Sequence, residues 1–517
     1  MSPSRTSSLR VIVAMLLAGM LAAALVLDGF KFFDEFGVSE PLERDIEQLV
    51  VPMSYSVPVF SRENGTWFCP GGSAPGGLAD VSLEIINASA EPAEAVVSGI
   101  RSGLGAEPTD AVVTIGAGER TRVRLADLVT DSSWMGAVVE VDSADVVLEQ
   151  TYLGAAGTSD RALCHTRTSD QWVVASGATR LAAHGEEMIL LLLNPFPHDA
   201  VLNIRFNSDV GVDTLNGVVV PARRVVAVDV TEAVPVASHL SAVIDVVVGR
   251  VAASRVQSQG HAPPSADGEP VGLSVTPATS RAAPVWHLLD LNSTDRDEVV
   301  SVVNPSLNET AEVDLVIVSD EDLSRDPIEL TIGPGAASQV RLSDVSRLSG
   351  LASYSITADS LTGLPIAVML ESTDLSLGSQ GDALEGGSET EGSLDSDLGP
   401  ENVSVAATTG LDVSSTRWLA PLGSGSHGVV ILNPSSTSIA TVEVAVLEAD
   451  GRRVETQLEI APLRRVSLSA SELGGERPII EVVSSAPVVV SRDLRGVSQH
   501  QLLPGVVAAE PTPLSRN

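Results

Sequence analysis

Lysine is almost absent from the chain, and aromatic residues and cysteine are scarce. Lys31 is the only lysine, aromatic residues make up 3% of the 517 residues, and the formal net charge is −36. Such an acidic chain opposes the counterion release that drives nucleic-acid binding, so DNA and RNA are poor candidates as partners. The 44% of apolar residues are carried by Val and Ala. This composition favours β structure over helix bundles.

One long apolar run lies near the N-terminus. Residues 11–27, VIVAMLLAGMLAAALVL, hold no charge and no proline, and as a helix they would span roughly 26 Å, enough for a bilayer core. Arg5 and Arg10 precede the run, which places the N-terminus in the cytoplasm and the rest outside. We therefore predict a single-pass membrane protein with a retained anchor. The alternative is a signal peptide cleaved after Ala22 and Ala24, which would give a secreted protein.

The chain has only two cysteines, Cys69 and Cys164. Outside the membrane both would lie in an oxidising compartment, where two thiols pair by default. We therefore predict a Cys69–Cys164 disulfide. The alternative is two buried thiols that act as small hydrophobic residues.

A pattern of an apolar strand, an asparagine, a turn and a second apolar strand occurs four times. Its members are LEIINASAEPAEAVV, LLLNPFPHDAVLNI, VVNPSLNETAEVDLVIV and ILNPSSTSIATVEVAV, and a tryptophan precedes each one at similar distance. Repetition at one place predicts structural roles for these residues, the asparagine in a turn and the tryptophan in a core. The asparagines are Asn87, Asn194, Asn304 and Asn433, and the tryptophans are Trp67, Trp172, Trp286 and Trp418.

The repeat predicts four domains, since a chain of this length is too long for one core. Apolar and polar residues alternate over short runs separated by Gly, Pro, Asn and Asp, which predicts about seven antiparallel strands per copy and an immunoglobulin-like β-sandwich. The predicted segments are a cytoplasmic N-terminus 1–10, a transmembrane helix 11–27, a linker 28–50, sandwiches 51–158 and 159–258, a Pro-rich spacer 259–269, a sandwich 270–376, an acidic disordered linker 377–401, a sandwich 402–504 and a tail 505–517.

Few residues indicate chemistry. Alternating oxygens at Asp320, Asp322 and Asp326 form a weak calcium candidate, and the stretch 290–298 is another, but both lack the glycine and terminal glutamate of an EF-hand loop. No G-x-S-x-G or H-E-x-x-H motif occurs. We therefore expect no catalytic residue and no cofactor.

The stretch from TWFCPGG through LEIINAS to the last strand pair, behind one N-terminal span, resembles a family of actinobacterial envelope proteins of unknown function. The resemblance implies tandem β-sandwiches outside the membrane and supplies no catalytic residue. The expected role is a non-catalytic envelope scaffold, spacer or binding module with a glycan or an envelope protein as its partner. The alternatives are a cell-wall glycan-active enzyme or its accessory subunit, and a secreted adhesin.

Four domains of about 35 Å in a row would extend roughly 140 Å from the membrane. We therefore expect a linear array.

Overall fold

The computed structural model describes residues 65–507, except 104, 106–107, 155–158, 260–271, 295, 320–325, 375–403, 423–425, 449–450, 474–477, 497–498 and 505. Strands dominate these residues, so the all-β prediction is confirmed. Short helices lie at Leu181–His184, Val230–Ala233 and Ala470–Leu473, and 3-10 turns at Leu125–Asp127, Leu342–Asp344 and Ser346–Leu348. Within the described ranges, no helix has the length and apolar character needed to cross a bilayer, and the predicted segment 11–27 lies outside them.

The first two copies of the repeat contain eight strands each. In copy 1 they are β1 Gly65–Ser73, β2 Asp80–Asn87, β3 Ala93–Arg101, β4 Asp110–Ile115, β5 Arg120–Arg124, β6 Trp134–Val141, β7 Val146–Leu153 and β8 Ser159–Leu163. In copy 2 they are β9 Gln171–Val174, β10 Glu187–Asn194, β11 Ala200–Ser208, β12 Gly211–Val220, β13 Arg224–Asp229, β14 Leu240–Val248, β15 Ala252–Gln259 and β16 Gly272–Pro277.

The last two copies follow the same order. Copy 3 has β17 Val285–Leu291, β18 Arg296–Val303, β19 Ala311–Ser319, β20 Ile328–Ile332, β21 Ala337–Arg341, β22 Tyr354–Ser360, β23 Ala367–Asp374 and β24 Ser404–Thr409. Copy 4 has β25 Ser415–Pro421, β26 Ser426–Asn433, β27 Ala440–Glu448, β28 Gly451–Ile460, β29 Arg464–Ser469, β30 Ile479–Gly496, β31 Gln499–Pro504 and β32 Val506–Val507. The long β30 serves as both the sixth and the seventh strand of copy 4. The eighth strand of copy 4 is therefore β31, which pairs with β30.

Each copy forms two antiparallel sheets. If the strands of each copy are numbered 1 to 8 in chain order, one sheet has the order 4-3-6-1 and is called the first-strand sheet. The other has the order 5-2-7-8 and is called the eighth-strand sheet. In copy 2 these sheets are β12-β11-β14-β9 and β13-β10-β15-β16. Alternation builds the core: in β11, Ala200, Leu202, Ile204 and Phe206 are buried while the residues between them are partly exposed. Both sheets of a copy contribute to one apolar cluster. In copy 1 a parallel bridge between Ser73 and Asp80 also joins the two sheets.

The pairing of the eighth strands corrects the predicted boundaries. The sequence places β8, β16 and β24 at the start of the next domain, but each pairs with the seventh strand of its own copy. Gln259 pairs with Gly272 and Asp374 pairs with Ser404. The predicted Pro-rich spacer and acidic linker therefore connect neighbouring strands of one sheet and do not separate domains. A hairpin tolerates such long insertions because the entropy of loop closure rises only slowly with length.

The four copies contact one another in a closed cycle. The eighth strands meet in the order β8, β16, β24, β31 and back to β8. The eighth-strand sheet of one copy packs on the first-strand sheet of the copy before it, as β13 packs on β3 and β6, and β29 on β19. The same contact joins copy 1 to copy 4, where Arg120 on β5 donates to Leu422 O at 2.6 Å. The expectation of a linear array is therefore wrong, because head-to-tail contacts close into a ring when their rotations add up to a full turn.

Apolar side chains cross every junction of this cycle. The core of copy 1 continues into Ile189 and Leu191 of copy 2 and into Leu419 and Ile479 of copy 4. The core of copy 2 reaches Met369 of copy 3. At the junction of copies 3 and 4, a separate cluster joins Leu289 and Val318 to Val430, Leu432 and Val489. Each junction thus includes apolar contacts of the kind that form protein cores.

Candidate functional site: buried ion pairs between the copies

The junction of copies 4 and 1 is centred on a fully buried ion pair. Arg492 on β30 and Glu149 on β7 both have 0% side-chain exposure, and Arg492 Nη1 lies 2.5 Å from Glu149 Oε1. Arg492 Nη1 also donates to the carbonyl oxygen of Pro421. On the copy 1 side, Arg161 Nη1 lies 3.2 Å from Glu149 Oε2 and 2.7 Å from Glu84 Oε2. These arginines and carboxylates therefore balance one another inside the contact.

Burial makes this balance necessary. A buried charge whose partner is removed destabilises a protein by about 3 to 5 kcal/mol. Burial alone lowers the pKa of Arg161, but Glu149 and Glu84 raise the pKa overall. Nearer the surface, Arg417 of copy 4 pairs with Asp145 of copy 1 at 2.8 Å and with Glu481 of its own copy at 2.7 Å. The Arg417–Asp145 pair is thus a second ion pair between copies 4 and 1.

The junction of copies 2 and 3 has a matching ion pair. Arg255 on β15 has 0% side-chain exposure, and its Nη1 lies 2.6 Å from Glu371 Oε1 on β23. Ser176 donates its hydroxyl to Glu371 Oε2 at 2.5 Å and accepts from Arg255 Nη1 through its carbonyl at 2.7 Å. The arginine again belongs to the even-numbered copy and the glutamate to the odd-numbered one.

The charges therefore alternate around the cycle at the seventh strand of each copy. That strand carries Leu148-Glu149 in copy 1 and Leu370-Glu371 in copy 3, but Ser254-Arg255 in copy 2 and Ser491-Arg492 in copy 4. Sequence reasoning missed these residues, although a charged residue at one place inside four apolar strands was visible. Because each charge is paired with a neighbouring copy, the arrangement can hold the copies together.

A buried carboxylate lies at the junction of copies 1 and 2. Asp160 on β8 accepts from Val275 N at 2.6 Å through Oδ2 and from Arg161 N at 2.8 Å through Oδ1. Burial raises the pKa of Asp160 to about 7, against the backbone N–H groups and the arginines that lower it. The eighth strands of these two copies are thus tied by a side chain as well as by packing.

The predicted disulfide is confirmed. Cys69 on β1 is bonded to Cys164, which directly follows β8, with a sequence separation of 95 residues. Next to it, Phe68 and His165 exchange backbone hydrogen bonds at 2.7 and 2.8 Å. The His165 ring lies edge-on to Trp172 at 4.5 Å and contacts Ala253 O at 2.7 Å, and burial lowers its pKa to about 4. The disulfide therefore joins the first strand of copy 1 to the segment that leads from β8 into copy 2.

The four repeated asparagines share one hydrogen-bonding pattern. Asn304 is fully buried; its Nδ2 donates to Glu309 O, Ile332 O and Gly333 O at 2.8 to 3.1 Å, and its Oδ1 accepts from Ser306 N at 3.1 Å. Asn87, Asn194 and Asn433 bond their own turns in the same way. The side chain closes the turn that follows the second strand and satisfies buried backbone groups.

The repeated tryptophans lie in the cores. Trp172, Trp286 and Trp418 are at most 2% exposed, and Trp67 is 4% exposed. Trp172 Nε1 donates to Val251 O at 3.0 Å, and Trp286 and Trp418 make the same bond at the start of their own seventh strands. These rings join the two sheets of a copy, and none offers a face for stacking on a sugar.

Copy 3 contains a pair of buried carboxylates beside one arginine. Arg296 Nη1 lies 3.5 Å from Asp290 Oδ2 and 3.7 Å from Glu298 Oε1, and all three side chains are buried. Asp290 has a φ of 60° at an irregularity in β17, a backbone conformation unusual for aspartate. Burial raises the pKa of Glu298 to about 8, against the arginine that lowers it. Because the arginine lies between the carboxylates, they serve the fold here.

The calcium candidate falls mostly outside the described residues. Asp320 and Asp322 are not described, and Asp326 is exposed. Within the described ranges, no group of three or more His, Cys, Asp or Glu side chains is placed to hold a metal ion.

No family model matches the chain, and no curated protein sequence matches it. Similar solved structures include Thermotoga maritima 1070, with 20% identity over 25% of this chain and 94% of that one and a TM-score of 0.19. A tetra-tandem repeat in the extending region of a large adhesion protein has 13% identity, 82% and 93% coverage and a TM-score of 0.10. The Streptomyces avermitilis α-L-rhamnosidase complexed with L-rhamnose has 10% identity, 83% and 57% coverage and a TM-score of 0.12. Likeness at these TM-scores says nothing about what this chain does.

Proposed function

We propose that the chain is an extracytoplasmic cell-envelope protein, anchored by residues 11–27, in which four immunoglobulin-like β-sandwich domains form one rigid, non-catalytic binding head. Its partner would be an envelope glycan or an envelope protein. Such a head does not act as a long spacer.

This proposal rests on one observation: the four copies form a closed cycle, and charged side chains at the contacts between copies form ion pairs. Arg492 with Glu149 and Arg255 with Glu371 use buried charges to hold neighbouring copies. The buried carboxylates Asp290 and Glu298 of copy 3 flank Arg296. Because these charged groups are paired between copies or within a core, a stable platform that displays loops fits the geometry better than a catalytic cleft does.

The location rests on two features. The apolar run at residues 11–27 has the length and flanking charges of a signal anchor. The Cys69–Cys164 disulfide fits an oxidising compartment outside the cytoplasm. The acidic charge would keep such a head away from anionic lipid headgroups.

Location is tested by a reporter that is active only outside the cytoplasm, fused after residue 507, and by N-terminal sequencing of the mature protein. An active reporter with an intact N-terminus in the membrane fraction supports the anchored form. A new N-terminus after residue 24, with protein in the medium, would favour the secreted adhesin instead. An inactive reporter with free thiols at both cysteines would contradict both forms.

Small-angle scattering of residues 57–517 tests the rigid head. A compact chain of this size has a radius of gyration of about 22 Å, whereas a linear array about 140 Å long would give about 40 Å. A value near the larger figure would refute the closed cycle and the proposed head with it.

A further inference from the structure

We propose that the surface joining the two halves of the cycle is also a surface for a second copy of this chain, which binds by exchange of halves. Half 1 is copies 1 and 2, and half 2 is copies 3 and 4. In the exchanged dimer each ring contains half 1 of one chain and half 2 of the other.

The two halves repeat each other more closely than adjacent copies do. After the fifth strand, copies 1 and 3 have 3-10 turns at Leu125–Asp127 and Leu342–Asp344. Copies 2 and 4 instead have short α-helices at Val230–Ala233 and Ala470–Leu473. Arg223 and Leu463, each just before the fifth strand of an even-numbered copy, have the same positive φ of 53°. The chain is thus a two-copy unit present twice.

The contacts between the halves use the same strand positions. Each half carries a glutamate on the seventh strand of its first copy and an arginine on that of its second, and the two ion pairs are Arg255–Glu371 and Arg492–Glu149. The surface that half 2 offers to half 1 is therefore complementary to it at both ends. Any second chain offers the same half 2, with the same charges in the same places.

Each half is held together internally by other contacts. In half 1, the Asp160 bond to Val275 N and the apolar core that continues from copy 1 into Ile189 and Leu191 tie copy 1 to copy 2. In half 2, Arg465 of copy 4 is 4% exposed and donates to Ser355 Oγ and Ser353 Oγ of copy 3, beside the apolar cluster that joins these copies. A half can therefore move as one body.

The chain passes from one half to the other at residues 278–284. Thr279 pairs with Val173 of half 1, and Ala283 pairs with Ile366 of half 2, through backbone hydrogen bonds of 2.8 to 2.9 Å. Ser280 is held by Arg167 and Ser169 of half 1. Residues 281 and 282 lie between the part of this segment that is bonded to half 1 and the part that is bonded to half 2, so we place the hinge for exchange there. Exchange of identical elements across such a hinge is a low-cost route to dimers.

Two full-length variants with different tags test the exchange. In Glu149→Arg, two arginines meet at the junction of copies 4 and 1, and in Arg492→Glu two glutamates meet there. Neither variant can satisfy this junction alone, either within one chain or in a homodimer. In the exchanged heterodimer every junction has one arginine and one glutamate. We expect the 1:1 mixture to form a dimer that carries both tags, enriched more than about tenfold over the dimer of either variant alone.

The double variant Glu149→Arg/Arg492→Glu is the matched control, because it restores opposite charges within one chain and should return to a monomer. If the double variant is a folded monomer while the mixture contains no two-tag dimer, the proposal is wrong. A second measurement does not depend on the variants folding. Wild-type chains with two tags are unfolded together, with the disulfide intact, and refolded at increasing concentration. Two-tag dimers that increase with concentration support exchange, and single-tag monomers at every concentration overturn it.

Discussion

Replacing Arg492 by methionine removes the buried cation at the junction of copies 4 and 1. Breaking a fully buried pair destabilises by about 3 to 5 kcal/mol. Two features lower the expected value here. Glu149 keeps Arg161 at 3.2 Å, and within the described part of the chain Arg492 Nε and Nη2 have no hydrogen-bond partner to lose. Pro421 O does lose its donor. We therefore expect a loss of about 2 to 4 kcal/mol at this junction.

Hydrogen exchange in native conditions measures this loss where it occurs. The amides of β7, which carries Glu149, and of β25, which ends at Pro421, should exchange faster in the variant by the factor that corresponds to the lost free energy. Amides of β11, in the core of copy 2, should change little. Arg453→Met is the matched control, because Arg453 pairs with Glu455 at 2.8 Å while its side chain is 56% exposed. Exposed pairs contribute about 0.2 to 1 kcal/mol.

A further variant separates a lost ion pair from lost packing. Glu149→Gln combined with Arg492→Met removes both charges, and the glutamine leaves Arg161 paired with Glu84 at 2.7 Å. Replacing a buried pair by apolar side chains is often neutral, so the double variant should recover most of the lost stability. The reasoning fails if Arg492→Met has no larger effect than Arg453→Met, or if the double variant is less stable than either single one.

Three further predictions concern a turn, a protease site and a titrating carboxylate. Asn433→Ala removes the donor to Ser438 O, Ile460 O and Ala461 O, and urea unfolding should show a loss of about 2 to 4 kcal/mol. A protease cut within 375–403 should leave both fragments together on gel filtration, since β23 and β24 stay paired; separation without denaturant would contradict the pairing. Glu298 has a folded pKa of about 8 against an ordinary value of 4.5, so its contribution to stability is full below pH 4.5 and is lost as the pH rises to 8. Glu298→Gln should therefore flatten the dependence of stability on pH across this window.

Much of the fold was predictable because it repeats. Strand alternation set the all-β class, and the recurring asparagine marked the same turn in every copy. Asn87 has no following proline, unlike the asparagines in the other three copies, yet it makes the same bonds to its turn. The side-chain amide is therefore the common requirement of this turn, and the proline is an addition to it.

The boundaries and the contacts between copies could not be predicted from the same signals. A change of composition at residues 375–403 resembles a domain linker, and only the pairing of Asp374 with Ser404 shows that this segment connects two strands of one sheet. A glutamate or arginine in an apolar strand, such as Glu149 or Arg255, is unfavourable unless it has a partner of opposite charge. Those partners lie on other copies, so strand periodicity within one copy does not identify them.

The alternation of charge explains how four similar copies adopt a single arrangement. Apolar head-to-tail contacts alone would allow any copy to follow any other, because their surfaces are alike. An arginine of copy 2 or 4 that met the arginine of another even-numbered copy would leave two buried cations without a partner, and like charges in contact cost several kcal/mol. Arg255 is therefore satisfied by Glu371 and Arg492 by Glu149, so odd and even copies must alternate. The same rule does not distinguish the half of one chain from the matching half of another, which is why the surface that closes the cycle can also join two chains.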